Sequence, residues 1–276
     1  MKGIQLTGRV VVVTGGARGI GRATAQALRD AGATVVIGDI DKDELAATAD
    51  EFGILSGYLD VTDPHRVDAF AADVHAHCGS LDIWINNAGI MPVGPLLDQT
   101  DSVIRRAVEI NVLGVINGSR AAARHMTAHG GGRIVNIASV AGRVPAPGMA
   151  VYAGTKFAVV GFGEALDAEL EPTGVRVSTI FPSFTDTGLI QGITPGPMMA
   201  PVPPERIAAA VLTVLRRGRR DIVIPGRLTA GTALWMLFPR SLAARLRRAV
   251  RLHEVFLRPD ATRRTYDNRI DETSPR

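Results

Sequence analysis

Seven short runs rich in Val, Ile and other strand formers recur along the chain, and most are followed by a segment long enough for a helix. No other feature restricts the fold as strongly. The runs are residues 10–14, 34–39, 55–60, 82–86, 133–139, 175–181 and 221–224. Several are continuously apolar rather than alternating, as strands covered on both faces are. Helices are expected over 19–31, 43–52, 64–78, 101–129, 148–170 and 204–217. Gly32, Gly53, Gly79, Gly174 and Gly218 stand just past these segments, where a left-handed residue stops a helix. This alternation predicts one parallel sheet with helices on both faces, a doubly wound α/β fold.

Composition agrees and removes alternatives. At 276 residues, 46% of them apolar, the chain can bury a sizeable core and is not mainly disordered. Its 30 glycines follow no three-residue period, which excludes a collagen-like chain. The single cysteine, Cys78, excludes an intramolecular disulfide. The N-terminal residues lack the layout of a signal peptide, and no apolar run reaches the roughly 18 residues of a membrane span, so a cytoplasmic location is expected. Residues 1–225 are expected to form the main domain, with a Pro-, Gly- and Met-rich lid over 183–204. Residues 226–276 form a basic, partly amphipathic helical extension whose polar end is expected to fray.

The first strand run leads into Thr14-Gly15-Gly16-Ala17-Arg18-Gly19-Ile20-Gly21 and then an Ala-rich helix. A helix N-terminus offers unpaired N–H groups and a positive dipole end, which can hold a pyrophosphate if no side chain intervenes. Gly15 suits the tight turn, Gly19 the approach of phosphate to the backbone, and Gly21 the packing of helix on strand. The second run ends at Asp39, whose carboxylate suits ribose hydroxyls and repels a 2′-phosphate. Arg18 argues in the other direction, since a guanidinium there can pair with that phosphate. NAD is the expected cofactor and NADP the alternative.

Four further features accompany the glycine turn. Asn86-Asn87-Ala88-Gly89 follows the fourth run, Asn111 lies inside a helical stretch, Ser139 ends the fifth run, and Tyr152-Ala153-Gly154-Thr155-Lys156 opens a helix. Tyr152 and Lys156, four apart, share a helix face, where an ammonium would favour the phenolate and lower its pKa from about 10. Ser139 at a strand end can hydrogen-bond an oxygen on which charge develops. In this order, over roughly residues 7 to 225, the set resembles the short-chain dehydrogenase/reductase family.

The resemblance implies a single Rossmann-type domain with strand order 3-2-1-4-5-6-7, and hydride transfer between NAD(H) and a secondary alcohol or ketone. It implies catalytic roles for Asn111, Ser139, Tyr152 and Lys156. Tyr152 would exchange the proton, Lys156 would also hold the nicotinamide ribose, and Asn111 would keep a water in a relay to Lys156. The cofactor would lie along Gly15, Arg18, Gly19, Ile20, Gly21, Asp39, Asp60, Val61, Asn87, Ala88, Gly89, Tyr152, Lys156, Pro182 and Thr187. Asp60 and Val61 would face the adenine, and Thr187 the nicotinamide carboxamide. Ser183 departs from the family's usual Pro-Gly and raises the question of the local turn. A homodimer or homotetramer built through flanking helices is also implied. A catalytically silent nucleotide-binding protein on the same fold is the rival.

Phe184, Leu189, Ile190, Ile193, Met198 and Met199 in the lid suggest a lipophilic substrate such as a steroid, retinoid or fatty chain, or simply pack the lid. Only three of the 31 basic residues are lysine (Lys2, Lys42, Lys156); the rest are arginine. Arg245, Arg247, Arg248 and Arg251 alternate with Leu246, Val250 and Leu252, a pattern that suits an anionic membrane surface, an acidic substrate or a solvated face. No nucleic-acid module is present. His75, His77 and Cys78 lack a further ligand pair, so no metal is assigned.

Overall fold

The computed structural model describes residues 2–194, 200–239, 241–243, 245, 255–257, 260, 262–263 and 266–267. The strands are β1 (Val10–Thr14), β2 (Thr34–Asp39), β3 (Leu55–Tyr58), β4 (Ile83–Asn86), β5 (Gly132–Ile137), β6 (Val175–Pro182) and β7 (Asp221–Ile224). The helices are α1 (Gly19–Asp30), α2 (Lys42–Phe52), α3 (Pro64–Cys78), α4 (Asp101–Val108), α5 (Gly114–Ala128), α6 (Ala150–Leu170), α7 (Pro204–Arg217) and α8 (Thr229–Trp235). All seven strands pair in parallel in the order β3-β2-β1-β4-β5-β6-β7, the arrangement the sequence implied.

The strand chemistry explains the two layers. β1 is buried throughout, and its valines part by pleat. Val11 and Val13 join Leu28 of α1 and Val211 and Val214 of α7 on one face. Val10 and Val12 join Val67 and Phe70 of α3 and Ala121 of α5 on the other. Chain order reverses between β1 and β4, so the crevice at their carboxyl ends is a topological switch point, where open α/β sheets bind ligands.

Three departures from the sequence reading matter for the site. β3 stops at Tyr58 and β5 at Ile137, which leaves Asp60 and Ser139 on the loops beyond them. The single helix expected over 101–129 is α4 and α5 joined by a π-helical turn, Glu109–Leu113. Asn111 lies in that turn, and both ends of its side-chain amide bond the Ile90 peptide, an attachment that accompanies the widened turn. The tail is also more ordered than expected: at the described positions Phe256 and Arg263 are buried, so fraying does not hold there. Arg247, Arg248, Arg251, Leu246, Val250 and Leu252 lie outside the described residues, as do Met198 and Met199.

Helix α6, which carries Tyr152 and Lys156, is pinned near its far end. Asp167 accepts from Arg176 at 2.8 Å through both oxygens and from the Val177 amide at 2.9 Å. Burial pushes this carboxyl up, but those hydrogen bonds and the charges of Arg176 and Arg220 outweigh it and hold it below the usual range. The carboxylate therefore stabilises the fold above the ordinary Asp pKa and loses that effect as pH falls through its depressed value. Asp167→Ala should cost about 3 kcal/mol in urea unfolding near neutral pH. The gap to the wild type should narrow as pH falls below the ordinary aspartate range and through the depressed value; a gap that persists undiminished there would show that the charge is not what holds α6.

Candidate functional site

Around the carboxyl ends of β1, β4, β5 and β6 lies a cavity of about 1150 Å³, larger than one drug-sized ligand needs. Of the residues singled out in the sequence, Gly15, Arg18, Gly19, Ile20, Asp39, Asp60, Val61, Asn87, Ala88, Gly89, Ser139, Tyr152, Lys156, Pro182 and Thr187 line it. Gly21 and Asn111 do not; both lie behind its wall.

At one end the turn after β1 enters α1 with no acidic residue and no side-chain cap in the first turn. The helix N–H groups are thus left open, which suits an anion. Gly19 has φ +54°, and a Cβ there would come within 3.2 Å of Thr187 across the opening. Behind the turn, a Cβ on Gly21 would stand 2.0 Å from the Gly15 carbonyl, so its role is helix packing, as the sequence suggested. Thr14 and Asn87 lock the turn to β4. Asn87 Nδ2 donates to the carbonyls of Thr14 and Gly15, both at 2.9 Å, while Thr14 Oγ1 accepts from the amides of Asn87 and Ala88.

The adjoining wall is acidic. Asp39, Asp41 and Glu44 all face the cavity. Asp39 accepts from the amides of Ala17 at 3.1 Å and Asp41 at 3.2 Å, which fixes its carboxylate beside the glycine turn. Arg18 is paired with Asp41. The guanidinium that argued for a 2′-phosphate is thereby engaged by a carboxylate already.

At the other end Ser139, Tyr152 and Lys156 converge. Tyr152 and Lys156 are each only 5% exposed. Lys156 Nζ donates to the Ile137 carbonyl at 3.0 Å and stands 5.7 Å from the centre of the Tyr152 ring. Ser139 Oγ accepts from the Ala141 amide at 3.0 Å and donates to the Pro182 carbonyl at 3.4 Å. The expectation that Lys156 acidifies Tyr152 is not met. Burial pushes the phenol up to about 12, with the hydrogen bond from Ser139 opposing and Tyr266 adding to the rise. Burial likewise brings the Lys156 ammonium down to about 8. In this low-dielectric pocket desolvation outweighs the attraction between the two groups.

Asn111 is a tie rather than a wall residue. Its Oδ1 accepts from the Ile90 amide at 2.9 Å, and its Nδ2 donates to the Ile90 carbonyl at 2.8 Å and to Thr155 Oγ1 at 3.1 Å. Both hydrogens of its side-chain amide are therefore committed to protein partners, while Oδ1 accepts one bond. Ser183, the departure from the family pattern, donates its amide to the Ile224 carbonyl at 2.8 Å, so the β6–β7 edge keeps its pairing.

Several cavity residues carry no sequence signal. Arg106 is 3% exposed, lines the cavity beside Asp60, and leaves its Nε without a partner. Arg227, Trp235, Phe256 and Tyr266 enter the wall from the C-terminal extension. His75 stands away from this cavity, against the rings of His125 and His129. Among the described residues no cluster is arranged to hold a metal ion.

The short chain dehydrogenase family model matches residues 9–197. The probable oxidoreductase EphD of Mycobacterium tuberculosis is 42% identical over 187 residues, covering 66% of this chain and 32% of that protein. This chain thus spans about a third of the length of that mycobacterial relative. Human estradiol 17-beta-dehydrogenase 11 is 31% identical over 255 residues, covering 89% of this chain and 84% of that one. A short-chain dehydrogenase/reductase from Burkholderia phymatum, solved in complex with NAD, superposes with TM-score 0.76 at 26% identity, over 84% of this chain and 94% of that one. The chain belongs to the short-chain dehydrogenase family.

Proposed function

We propose that this short-chain dehydrogenase transfers a hydride between NAD(H) and a lipophilic secondary alcohol or ketone. One observation carries the reading: Ser139, Tyr152 and Lys156 converge in the same cavity as the open glycine turn. The cradle suits a dinucleotide, because the glycine at position 19 faces Thr187 where a side chain would intrude, and the N–H groups of α1 are free to take a pyrophosphate. Gly15, Arg18, Gly19 and Ile20 would hold the phosphates. Asp39 would take the adenosine ribose, Asp60 and Val61 the adenine, and Asn87, Ala88 and Gly89 the middle of the cofactor. Lys156, Pro182 and Thr187 would hold the nicotinamide half. When bound, the nicotinamide supplies or accepts the hydride.

The protein's part is a proton and its placement. Near neutral pH, Tyr152 at about 12 keeps its proton and Lys156 at about 8 is largely charged. This is the state that gives a proton from Tyr152 Oη to an oxygen becoming an alkoxide, with Ser139 hydrogen-bonding the same oxygen. The protonated phenol is the form that serves carbonyl reduction, while alcohol oxidation needs the phenolate and gains as pH rises. Asn111 and Thr155 act as positioning residues, holding the Ile90 peptide against α6.

Two observations support NAD over NADP: Asp39, Asp41 and Glu44 gather at the ribose end, and Arg18 is already engaged by Asp41. A 2′-phosphate placed there would meet the carboxylates of Asp39 and Glu44, with the Arg18 guanidinium drawn to Asp41. A lipophilic substrate agrees with the apolar wall formed by Ile90, Met91, Phe184, Leu189, Ile190 and Trp235, and with the steroid alcohol in the name of the human relative. Beside Trp235, Leu234 is 52%, Met236 60% and Leu237 78% exposed. With Arg227 and Arg245 nearby in sequence, this apolar tip suits peripheral contact with an anionic lipid surface, from which such a substrate would enter. No helix among the described residues is long and apolar enough to cross a membrane.

Tyr152→Phe should bind NADH as the wild type does and lose roughly 10²-fold or more in turnover of a ketone and alcohol panel. Unchanged turnover would remove Tyr152 from the chemistry, and binding without turnover in the wild type would leave only the silent nucleotide binder. Asp39→Ala should move the ratio of kcat/KM for NADH over NADPH towards NADPH by roughly tenfold or more; an unchanged ratio would contradict the cofactor assignment. In sedimentation with anionic liposomes, the full chain should pellet more than one truncated at Gly226, and equal pelleting would dismiss the lipid contact.

A further inference from the structure

Arg263 is 1% exposed, a severe position for a charged side chain. Its guanidinium is satisfied by main-chain carbonyls from two separate parts of the cavity wall. Nη1 donates to Leu189 at 2.7 Å and Gln191 at 3.2 Å, within the long segment after β6, and Nη2 donates to Met91, on the loop after β4. Nε pairs with Asp267 at 3.2 Å.

Other contacts fasten the same junction. The guanidinium lies 4.0 Å from the centre of the Tyr266 ring, and the Tyr266 hydroxyl accepts from the Met91 amide at 2.9 Å. The Asp260 amide donates to the Gly192 carbonyl at 2.9 Å. Gly192 has φ +73°, and a Cβ there would stand 2.7 Å from the Arg263 Cβ, so only glycine lets the two segments approach. Phe256 stacks on Phe184 with 5.5 Å between ring centres and 6° between planes. Phe256 and Tyr266 both line the cavity that holds Tyr152.

A buried guanidinium persists only where its donors find acceptors, and here those acceptors come from two loops that also share an apolar cluster, Met91 with Leu189, Ile190 and Ile193. We propose that the described residues between 256 and 267 act as a strap: Arg263 is a positioning residue that ties the 188–192 turn to Met91, closes the substrate end of the cavity, and sets Phe256 and Tyr266 as a fixed wall. The 188–192 turn is then a stapled cover, and substrate reach beyond Tyr152 ends at the two rings. Substrate limitation rests on the oxidoreductase reading; the closure itself does not.

The test uses the full chain with Arg263→Ala, Arg263→Lys and Tyr266→Phe. Limited proteolysis reads opening of the cover without any turnover, because cleavage follows the population of the opened segment. Arg263→Ala should accelerate cleavage within residues 183–204 by about tenfold or more, Tyr266→Phe less, and added guanidinium ion at low millimolar concentration should restore part of the protection of the alanine variant. With a ketone substrate, Arg263→Ala should raise KM while kcat and the Kd for NADH change little, and Arg263→Lys should recover part of the loss. Cleavage unchanged in both Arg263→Ala and Tyr266→Phe would overturn the strap. Should Arg263→Ala fail to fold, Tyr266→Phe alone decides, by faster cleavage or none. If no substrate turns over while cleavage accelerates, the redox reading fails and the strap stands.

Discussion

Both ends of the proposed site are tied to one short loop, residues 87–91 after β4. Asn87 binds it to the glycine turn through two carbonyls. Gly89 passes close enough to Asn111 that a Cβ would meet Oδ1 at 3.1 Å and lie 3.7 Å from Lys156 Nζ. Ile90 is clamped at both its amide and its carbonyl by Asn111. Met91 is held at its amide by Tyr266 and at its carbonyl by Arg263. Backbone groups need partners, and here the partners come from the glycine turn's strand, the π-turn and the C-terminal extension. Loosening this loop would separate the end suited to phosphate from the end that carries Tyr152.

Burial, rather than neighbouring charge, sets the electrostatic state of the reactive pair. In water a lysine beside a tyrosine would draw the phenol down. In this pocket both groups pay for desolvation first, so the phenol rises and the ammonium falls. That ordering favours a proton donor at neutral pH and removes the need to postulate a standing phenolate. It also makes the closed substrate end chemically relevant, since admitting water would weaken every interaction inside. The strap through Arg263 and the buried pair of α6 thus serve the same cavity, whose cover is fastened by main-chain acceptors.

How much of this was legible in the sequence follows from what each feature depends on. The valines of β1 and the helices between strands are local patterns, so the parallel sheet and the Thr14–Gly21 turn could be read directly, while the strand order came from the family resemblance. The site residues formed an ordered set, and all but Gly21 and Asn111 reach the cavity. The π-turn at Glu109–Leu113 was hidden because it accompanies a bond to Ile90, a residue distant in sequence. Arg106, Arg263 and Tyr266 were invisible for the same reason: an arginine in a polar tail looks solvated until the chain brings carbonyls to it. The pKa order of Tyr152 and Lys156 was misjudged because spacing shows proximity and says nothing of burial.

The central claim is that a nicotinamide and a carbonyl compound meet beside Tyr152, with carbon-bound hydrogen from the cofactor and oxygen-bound hydrogen from the protein. The most direct measurement follows the label from NADH carrying deuterium at C4 of the nicotinamide into the alcohol formed from a lipophilic ketone. The account predicts deuterium on the carbinol carbon from one of the two C4-labelled epimers only, with the hydroxyl hydrogen exchanging with solvent. Label appearing from both epimers alike, or an alcohol that carries none from either, would contradict it.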